Sequence, residues 1–164
     1  MEKGFMAKLA GHPGGETLLH CFQCGICTSS CPVAEEIDLK PHQVSKLAAL
    51  GFESLLMSSK LLWDCTLCYM CTERCPKQVS VAGIITALRN VAIGEGMIPP
   101  AYKLQVERMF KLGRIYEVTD FENEVRADMG LPPAPEVKVE EVRTIMEETS
   151  LAQSVGVTKE GGKP

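Results

Sequence analysis

Aromatic side chains are scarce in this chain of 164 residues, and no excess of basic side chains is present. Only 5% of its residues are Phe, Trp or Tyr, and acidic residues outnumber Lys and Arg, which gives a formal net charge of -4. A nucleic-acid-binding domain normally carries a basic patch, so this charge balance argues against that class. Because aromatic side chains usually supply much of a core, we expect a modest aliphatic core and a further element that helps to hold the fold.

Long apolar runs are absent from the sequence as well. A membrane-spanning helix needs about 20 apolar residues, whereas the best candidate, VAGIITAL at 81–88, is short and is followed by Arg89 and Asn90. The N-terminal stretch MEKGFMAKLAGHPGG has no sustained apolar region of the kind found in a secretory signal. We therefore expect a cytoplasmic protein without a membrane span. Thiols stay reduced there, which favours metal ligands or redox groups over disulfides.

The chain does contain eight cysteines, and all of them belong to two copies of one motif. The copies read CFQCGICTSSCP and CTLCYMCTERCP, so both follow the spacing C-x2-C-x2-C-x3-C-P. This run is a bacterial iron–sulfur signature, in which three closely spaced thiolates hold one cluster and the fourth ligates the other cluster. A zinc site usually uses four ligands from two C-x2-C pairs. A third cysteine at x2 spacing, present twice, argues against zinc and against a disulfide scaffold.

The pattern predicts two crossed ligand sets for two 4Fe–4S clusters. Cluster 1 is expected on Cys21, Cys24, Cys27 and Cys75, and cluster 2 on Cys65, Cys68, Cys71 and Cys31. This crossing would hold the two motifs face to face, and such a pair carries electrons one at a time. No Gly-rich phosphate loop, no nucleophile with a candidate base and no open-site metal motif is visible, so no catalytic residue is expected in this chain.

The remaining sequence has helical periodicity. Between the motifs, PHQVSKLAAL at 41–50 and FESLLMSSKLLW at 52–63 both favour helices, and a further helix is predicted from Val81 to Gly94–Gly96. Three later helices are expected: one from Pro99 and Pro100 to Gly113, one from Asp120 to Gly130, and one near 138–149. LPPAPE at 131–136 is expected to be an extended linker, and GGKP a frayed tail. We predict an all-α fold, with a dicluster domain over 1–97 and a helical extension, linker and tail over 98–164 for partner docking.

Several other side chains are candidates for roles near the clusters. With eight thiolates completing two clusters, His12, His20 and His42 are expected at the surface, and His20, beside Cys21, is the one expected to sense a cluster. Trp63 and Tyr69 are expected to pack over cluster 2 and exclude water. The methionines, including Met70, Met109, Met129 and Met146, are expected mainly in the core, with a partner-binding surface as the alternative.

Residues near the first ligand set also predict that cluster 1 has the higher reduction potential. Gly25 lets backbone N–H groups approach the sulfur atoms, residues 28–30 offer hydroxyl donors, and Arg74 and Lys77 bring positive charge. Hydrogen bonds to sulfur and positive charge both favour the reduced, more negative cluster.

Two such motifs in a helical frame resemble the alpha-helical ferredoxins. These include the cluster domain of the succinate dehydrogenase iron–sulfur subunit, the C subunit of anaerobic glycerol-3-phosphate dehydrogenase, and the C subunit of heterodisulfide reductase. The stretch WDCTLCYMCTERCPKQV at 63–79 is most similar to the C subunit of soluble heterodisulfide reductase, and LPPAPE followed by EVRTIMEET is similar to it as well.

The resemblance implies an electron relay in anaerobic, methanogenic metabolism. An A subunit with flavin and iron–sulfur clusters would pass electrons through this chain to a B subunit that reduces a disulfide, such as that of coenzyme M and coenzyme B. A hydrogenase or a formate dehydrogenase is a further expected partner. Two alternatives stay open: a free dicluster ferredoxin that shuttles electrons, and the iron–sulfur subunit of another anaerobic dehydrogenase of the glycerol-3-phosphate or succinate/fumarate type.

Overall fold

A computed structural model describes residues 4–157, and every regular element in that range is a helix. The predicted all-α fold class is confirmed. The chain divides into two compact units, Met1–Gly94 and Glu95–Pro164. The GGKP tail lies outside the described residues. Within residues 4–157, no helix is both long enough and apolar enough to cross a bilayer.

The first unit is built from short helices packed around one long helix. They are α1 (Phe5–Ala10), a 3-10 turn (Leu18–His20), α2 (Ile26–Ser29), α3 (Pro41–Leu50), α4 (Glu53–Met57), α5 (Leu61–Asp64), α6 (Met70–Glu73) and α7 (Val81–Gly94). The predicted apolar face of α7 is buried in the core, including Ile84, Ile85 and Leu88. The sequence pattern did not predict α1, yet Phe5 and Leu9 are buried in this core too.

The segment 52–63 is helical, as predicted, but it is divided into α4 and α5. The Asp38 carboxylate accepts hydrogen bonds from the Ser59 hydroxyl at 2.7 Å, from the Lys60 N–H at 3.0 Å and from the Leu61 N–H at 3.2 Å. These bonds satisfy the N-terminal donors of a new helix, so α5 starts at Leu61. Phe52, expected on a shared apolar face, is exposed.

The start of α7 is hydrogen-bonded to the chain before the first cysteine motif and to the helix within the second. The Thr17 hydroxyl accepts the Ser80 N–H at 2.8 Å, and the Thr72 hydroxyl accepts the Ala82 N–H at 3.1 Å. These bonds satisfy two of the donors that an α-helix leaves free at its N-terminus. The backbone before the first motif and the helix within the second are thereby held to one common element.

The second unit contains α8 (Pro100–Leu112), α9 (Asp120–Asp128), α10 (Val139–Glu148) and α11 (Leu151–Val155). The predicted starts and stops of α8 to α10 are confirmed to within a few residues, and residues 131–136 form no regular element. With five residues, α11 is too short to produce a periodic pattern, and it was not predicted. The core contains Phe110, Met146 and Val155, so the expected core position is confirmed for Met146. Met129 is 71% exposed and lies outside the core.

Candidate metal centres

The two cysteine motifs have the same backbone conformation. A left-handed residue occurs at matched positions, Gln23 (φ 65°) and Leu67 (φ 50°), and again at Gly25 (φ 81°) and Tyr69 (φ 62°). The second pair directly precedes α2 and α6, which are four residues long. Left-handed conformations are costly for residues with a side chain and tend to occur at functional sites. The equivalence of the motifs therefore extends from their sequence to their conformation.

The cysteines line two cavities, and each cavity combines three cysteines of one motif with the last cysteine of the other. The first cavity is lined by Cys21, Cys24, Cys27 and Cys75. The second is lined by Cys65, Cys68, Cys71 and Cys31. The third cysteine of each motif is buried and the second is exposed. Each cavity is thus lined by four thiols, of which one is buried and one is exposed at the protein surface.

The chemistry of these linings fits a 4Fe–4S cluster. Four cysteine thiolates are the usual ligands of such a cluster, and the other residues around each cavity are mainly apolar. In residues 4–157 no three His, Cys, Asp or Glu side chains stand close enough to hold a single metal ion. Four thiols spread around a cavity at such separations suit a polynuclear cluster better than one zinc ion.

The inner cysteines of the two cavities influence each other. Burial raises the pKa of the Cys27 thiol to about 11, and the neighbouring Cys21 and Cys71 thiols raise it further. Burial also raises the pKa of Cys71, against a hydrogen bond from the Thr72 side chain. Cys27 lies on α2 and Cys71 on α6, and these two helices pack against each other, so the cavities adjoin at their buried cysteines. Iron binding must displace the protons of these thiols.

Two sulfur atoms of the first cavity accept hydrogen bonds from neighbouring N–H groups. The Gln23 amide nitrogen donates to Cys21 Sγ at 3.1 Å and also to the His42 carbonyl oxygen at 3.1 Å. The Val79 N–H donates to Cys75 Sγ at 3.2 Å. Gln23 was not singled out from the sequence, although it is the only amide side chain between the cysteines of the two C-x2-C-x2-C runs.

The predicted surface role is wrong for His42. This half-buried residue lines the first cavity, and its Nδ1 lies 2.7 Å from the Thr28 hydroxyl. His20, the histidine expected to sense a cluster, is exposed and is not a lining residue of either cysteine cavity. The Thr28 hydroxyl was expected as a donor to sulfur, but it pairs with the imidazole instead. No local pattern could have shown this, because α3 brings His42 to the cavity from beyond the motif.

The aromatic residues expected over the second cavity differ in their positions. Tyr69 lines this cavity and is 51% exposed. Trp63 packs against the core without lining the cavity. Of the two aromatic residues expected to pack over cluster 2, Tyr69 alone therefore lies at the second cavity.

Two positive side chains lie beside the cysteine loops. Arg89 on α7 donates from Nη2 to the Cys65 carbonyl oxygen at 2.7 Å and from Nε to the Leu62 carbonyl oxygen, so it holds the end of α5 to the first cysteine of the second motif. Lys77 lines the first cavity, and its Nζ is 5.9 Å from the centre of the Phe22 ring. Arg74, predicted to act beside Lys77, is exposed and does not line that cavity.

Comparison with known families agrees with this geometry. The family model described as a 4Fe-4S dicluster domain matches residues 17–79, which contain all eight cysteines. The first unit therefore defines the chain as a dicluster iron–sulfur protein, and the term dicluster corresponds to the two four-cysteine cavities.

Curated relatives match most of the chain. The C subunit of the H(2):CoB-CoM heterodisulfide,ferredoxin reductase of Methanothermobacter thermautotrophicus is 35% identical over 99% of this chain and 91% of its own length. The C2 subunit of the H(2)/formate:CoB-CoM heterodisulfide,ferredoxin reductase of Methanococcus maripaludis is 32% identical over 95% and 91%. The C subunit of the ferredoxin/F(420)H(2)-dependent CoB-CoM heterodisulfide reductase of Methanosarcina acetivorans is 34% identical over 74% and 75%.

The chain belongs to the family of heterodisulfide reductase C subunits. The resemblance drawn from the two cysteine motifs is thereby confirmed. Family and domain together support an iron–sulfur electron-transfer subunit of an oxidoreductase, which works in a complex with other subunits.

Proposed function

We propose that this chain relays electrons within a heterodisulfide reductase complex, from a subunit with flavin and iron–sulfur clusters to a disulfide-reducing subunit. Cys21, Cys24, Cys27 and Cys75 would hold one 4Fe–4S cluster, and Cys65, Cys68, Cys71 and Cys31 the other. When bound, these clusters supply acceptors and donors of single electrons, and the protein supplies their positions.

The observation that carries this proposal is the gradient of exposure within each set of cysteines. Cys27 and Cys71 are each 8% exposed and lie on α2 and α6 where the cavities adjoin, whereas Cys24 and Cys68 are exposed. A relay needs a short internal step and an accessible edge at each end. The buried cysteines provide the first, and the exposed cysteines provide the second.

Apolar side chains around both exposed cysteines support contact with partners. Phe22 (56% exposed) and Ile26 (40%) flank Cys24 in the chain, and Tyr69 (51%) and Met70 (37%) follow Cys68. Exposed apolar groups that cluster at a functional site often mark an interaction surface. We assign one partner to each of these two rims.

The second unit is proposed as a further partner-binding surface. Tyr116, Phe121 and Val125 line a groove of about 640 Å³, and the exposed fractions of Tyr116 and Phe121 are 63% and 69%. The double change Tyr116→Ser and Phe121→Ser should weaken co-purification with the other subunits while both clusters remain. Lys111→Gln, on an exposed position of α8, is the control. A complex that assembles unchanged from the doubly substituted chain would contradict this role.

The ligand sets are tested by single Cys→Ser variants and EPR spectroscopy. If ligation is crossed, Cys75→Ser alters the same cluster signal as Cys24→Ser, and Cys31→Ser alters the same signal as Cys68→Ser. Uncrossed ligation would pair Cys31→Ser with Cys24→Ser instead. Iron analysis of each variant shows whether the altered signal reflects changed ligation or loss of the cluster.

The relay itself is tested on the native complex. Anaerobic purification through this chain should bring down two further subunits, one that contains flavin and one that reduces a disulfide, and the chain should elute with them in gel filtration. Elution of the native chain near its monomer size would favour the free electron shuttle. Co-purification with a glycerol-3-phosphate or succinate dehydrogenase would favour the other alternative. In the complex, the flavin subunit should reduce both clusters, and addition of the disulfide substrate should reoxidise them.

A further inference from the structure

The two motifs share a backbone conformation but differ in one side chain that faces a ligand. Gln23 and Leu67 occupy the same position, the residue before the second cysteine, and both have a left-handed backbone. The Gln23 amide nitrogen is 3.1 Å from Cys21 Sγ. At the matched position in the second motif, the leucine side chain carries no donor at all.

The orientation of the Gln23 amide is fixed by a second partner. Its nitrogen also donates to the His42 carbonyl oxygen at 3.1 Å. A carbonyl oxygen only accepts hydrogen bonds, so the NH2 end of the amide must be the end between this oxygen and the Cys21 sulfur. The Thr28 hydroxyl in turn lies 2.7 Å from His42 Nδ1 and ties the start of α3 to α2. The donor to sulfur is therefore preorganised.

We propose that Gln23 is a positioning residue that sets the reduction potential of the cluster bound by Cys21, and that Leu67 leaves the other cluster without the equivalent contact. Reduction adds negative charge that the ligand sulfur atoms share, and a donor to sulfur stabilises the more negative state. The Gln23 contact thus makes the potentials of two similarly built centres unequal. This inference rests on the ligand sets of the proposed function.

The test is an anaerobic potentiometric titration of the full-length chain carrying both clusters, followed by EPR. Gln23→Leu reproduces the residue of the second motif and should lower the midpoint potential of one reduction step without moving the other. The step that moves should be the one altered by Cys24→Ser and not by Cys68→Ser. Iron content should match that of the unmodified protein.

A matched control is available close to the same cavity. Gln78 is exposed and follows Cys75 by three residues, and its side chain makes no hydrogen bond to any residue within 4–157. Gln78→Leu therefore makes the same chemical change beside the same ligand set without removing a bond to sulfur. Both reduction steps should stay in place in this variant.

Unmoved steps in Gln23→Leu, at full iron content, would overturn the inference, and so would an equal shift in Gln78→Leu. Gln23→Met keeps the side-chain length without the donor and is titrated as well, in case Gln23→Leu fails to load iron. Loss of iron from both Gln23 variants would make the residue structural and would also overturn the inference. The proposed function fails by different results, namely a chain that binds fewer than two clusters or a complex that lacks the expected subunits.

Discussion

Replacing Gly83 with alanine should destabilise the first unit, although alanine is the better helix former. In a helix interior the change from Gly to Ala contributes about 1 kcal/mol. At this position, however, the new Cβ would lie 2.5 Å from Ser80 Oγ and 2.7 Å from Gly14 Cα. The serine hydroxyl can rotate away, but the Gly14 backbone can move only together with the segment before the first motif.

The expected cost exceeds the gain in helix propensity. Overpacking of this kind costs about 1–3 kcal/mol. Displacing the segment also strains the hydrogen bond from the Ser80 N–H to the Thr17 hydroxyl, at 2.8 Å, and a hydrogen bond is worth about 1 kcal/mol. After about 1 kcal/mol of propensity is subtracted, a net destabilisation of about 1–3 kcal/mol remains. The first cysteine loop should loosen with it.

The assay compares two Gly→Ala changes in α7. Gly94 is the last residue of this helix, and a Cβ there would meet nothing within 4 Å, so Gly94→Ala should be neutral or slightly stabilising. Guanidinium titrations of the cluster-loaded proteins, followed by cluster absorbance and circular dichroism, give the shift in midpoint. Midpoints are compared because a protein with bound clusters need not unfold in two states. A Gly83→Ala midpoint at or above that of the unmodified protein would refute the packing argument.

Three further perturbations test the supports of the cysteine loops. Burial alone would raise the pKa of Asp38, but hydrogen bonds from Ser59, Lys60, Leu39 and Leu61 hold it at about 2, below its ordinary value of 3.8. The stabilisation from the Asp38 carboxylate is therefore complete above pH 3.8 and is lost as the pH falls towards 2. Asp38→Asn should lower the free energy of unfolding by about 1 kcal/mol, after allowance for the exposure of the side chain. Denaturant titrations should give the same loss at every pH from about 5 to 8. A cost that changes across that range would contradict the assignment. Arg89→Met should make the cluster bound by Cys65 dissociate faster than the other cluster, which would appear as selective decay of one EPR signal. Arg89→Lys should give an intermediate rate of loss, because one ammonium group cannot reproduce the guanidinium fork. Equal decay of both signals would be evidence against this role. Chelation of iron should reduce the helical circular dichroism of the first unit and abolish its cooperative thermal transition, since bound metal stabilises the fold that presents its ligands. A transition at an unchanged temperature would argue against that dependence.

The helices that were predicted from the sequence are those whose stabilisation is local or periodic. In α3, Pro41 occupies the first turn, the Gln43 side chain accepts the Lys40 N–H at 2.8 Å, and Gly51 closes the helix at φ 74°. Each of these features is visible within a few residues. The break before α5 depends on Asp38, which lies 21 residues before Ser59, so the periodicity of 52–63 predicted helix but not the break within it.

In the candidate site, too, some residues were predicted from the sequence and others could not be. The motif signature predicted the crossed sets of thiols that line the two cavities. Which cluster each thiol ligates stays a prediction. Arg89 could not be found in this way, since it reaches the Cys65 loop from α7. Gln23 lies inside a motif, yet its contact with sulfur depends on a left-handed backbone and on the His42 carbonyl group, which the insert between the motifs supplies.

The two cavities have equivalent backbones, so unequal potentials must come from side chains and their surroundings. The first cavity has the Gln23 amide and the Val79 N–H on sulfur, with Lys77 in its lining. The second has a hydrogen bond from the Thr72 side chain to Cys71 and the charge of Arg89 near Cys65.

These contributions do not cancel. The first cavity has two N–H donors to sulfur, from Gln23 and Val79, against the Thr72 side chain in the second. The Arg89 guanidinium points at two carbonyl oxygens at the end of α5, whose partial negative charge offsets part of its field. The rest of the second lining is largely aliphatic, including Leu61 and Ile85, and such surroundings disfavour added negative charge. Donors aimed directly at sulfur therefore outweigh a cation bound by carbonyl groups, and the cluster on Cys21 should accept electrons at the higher potential.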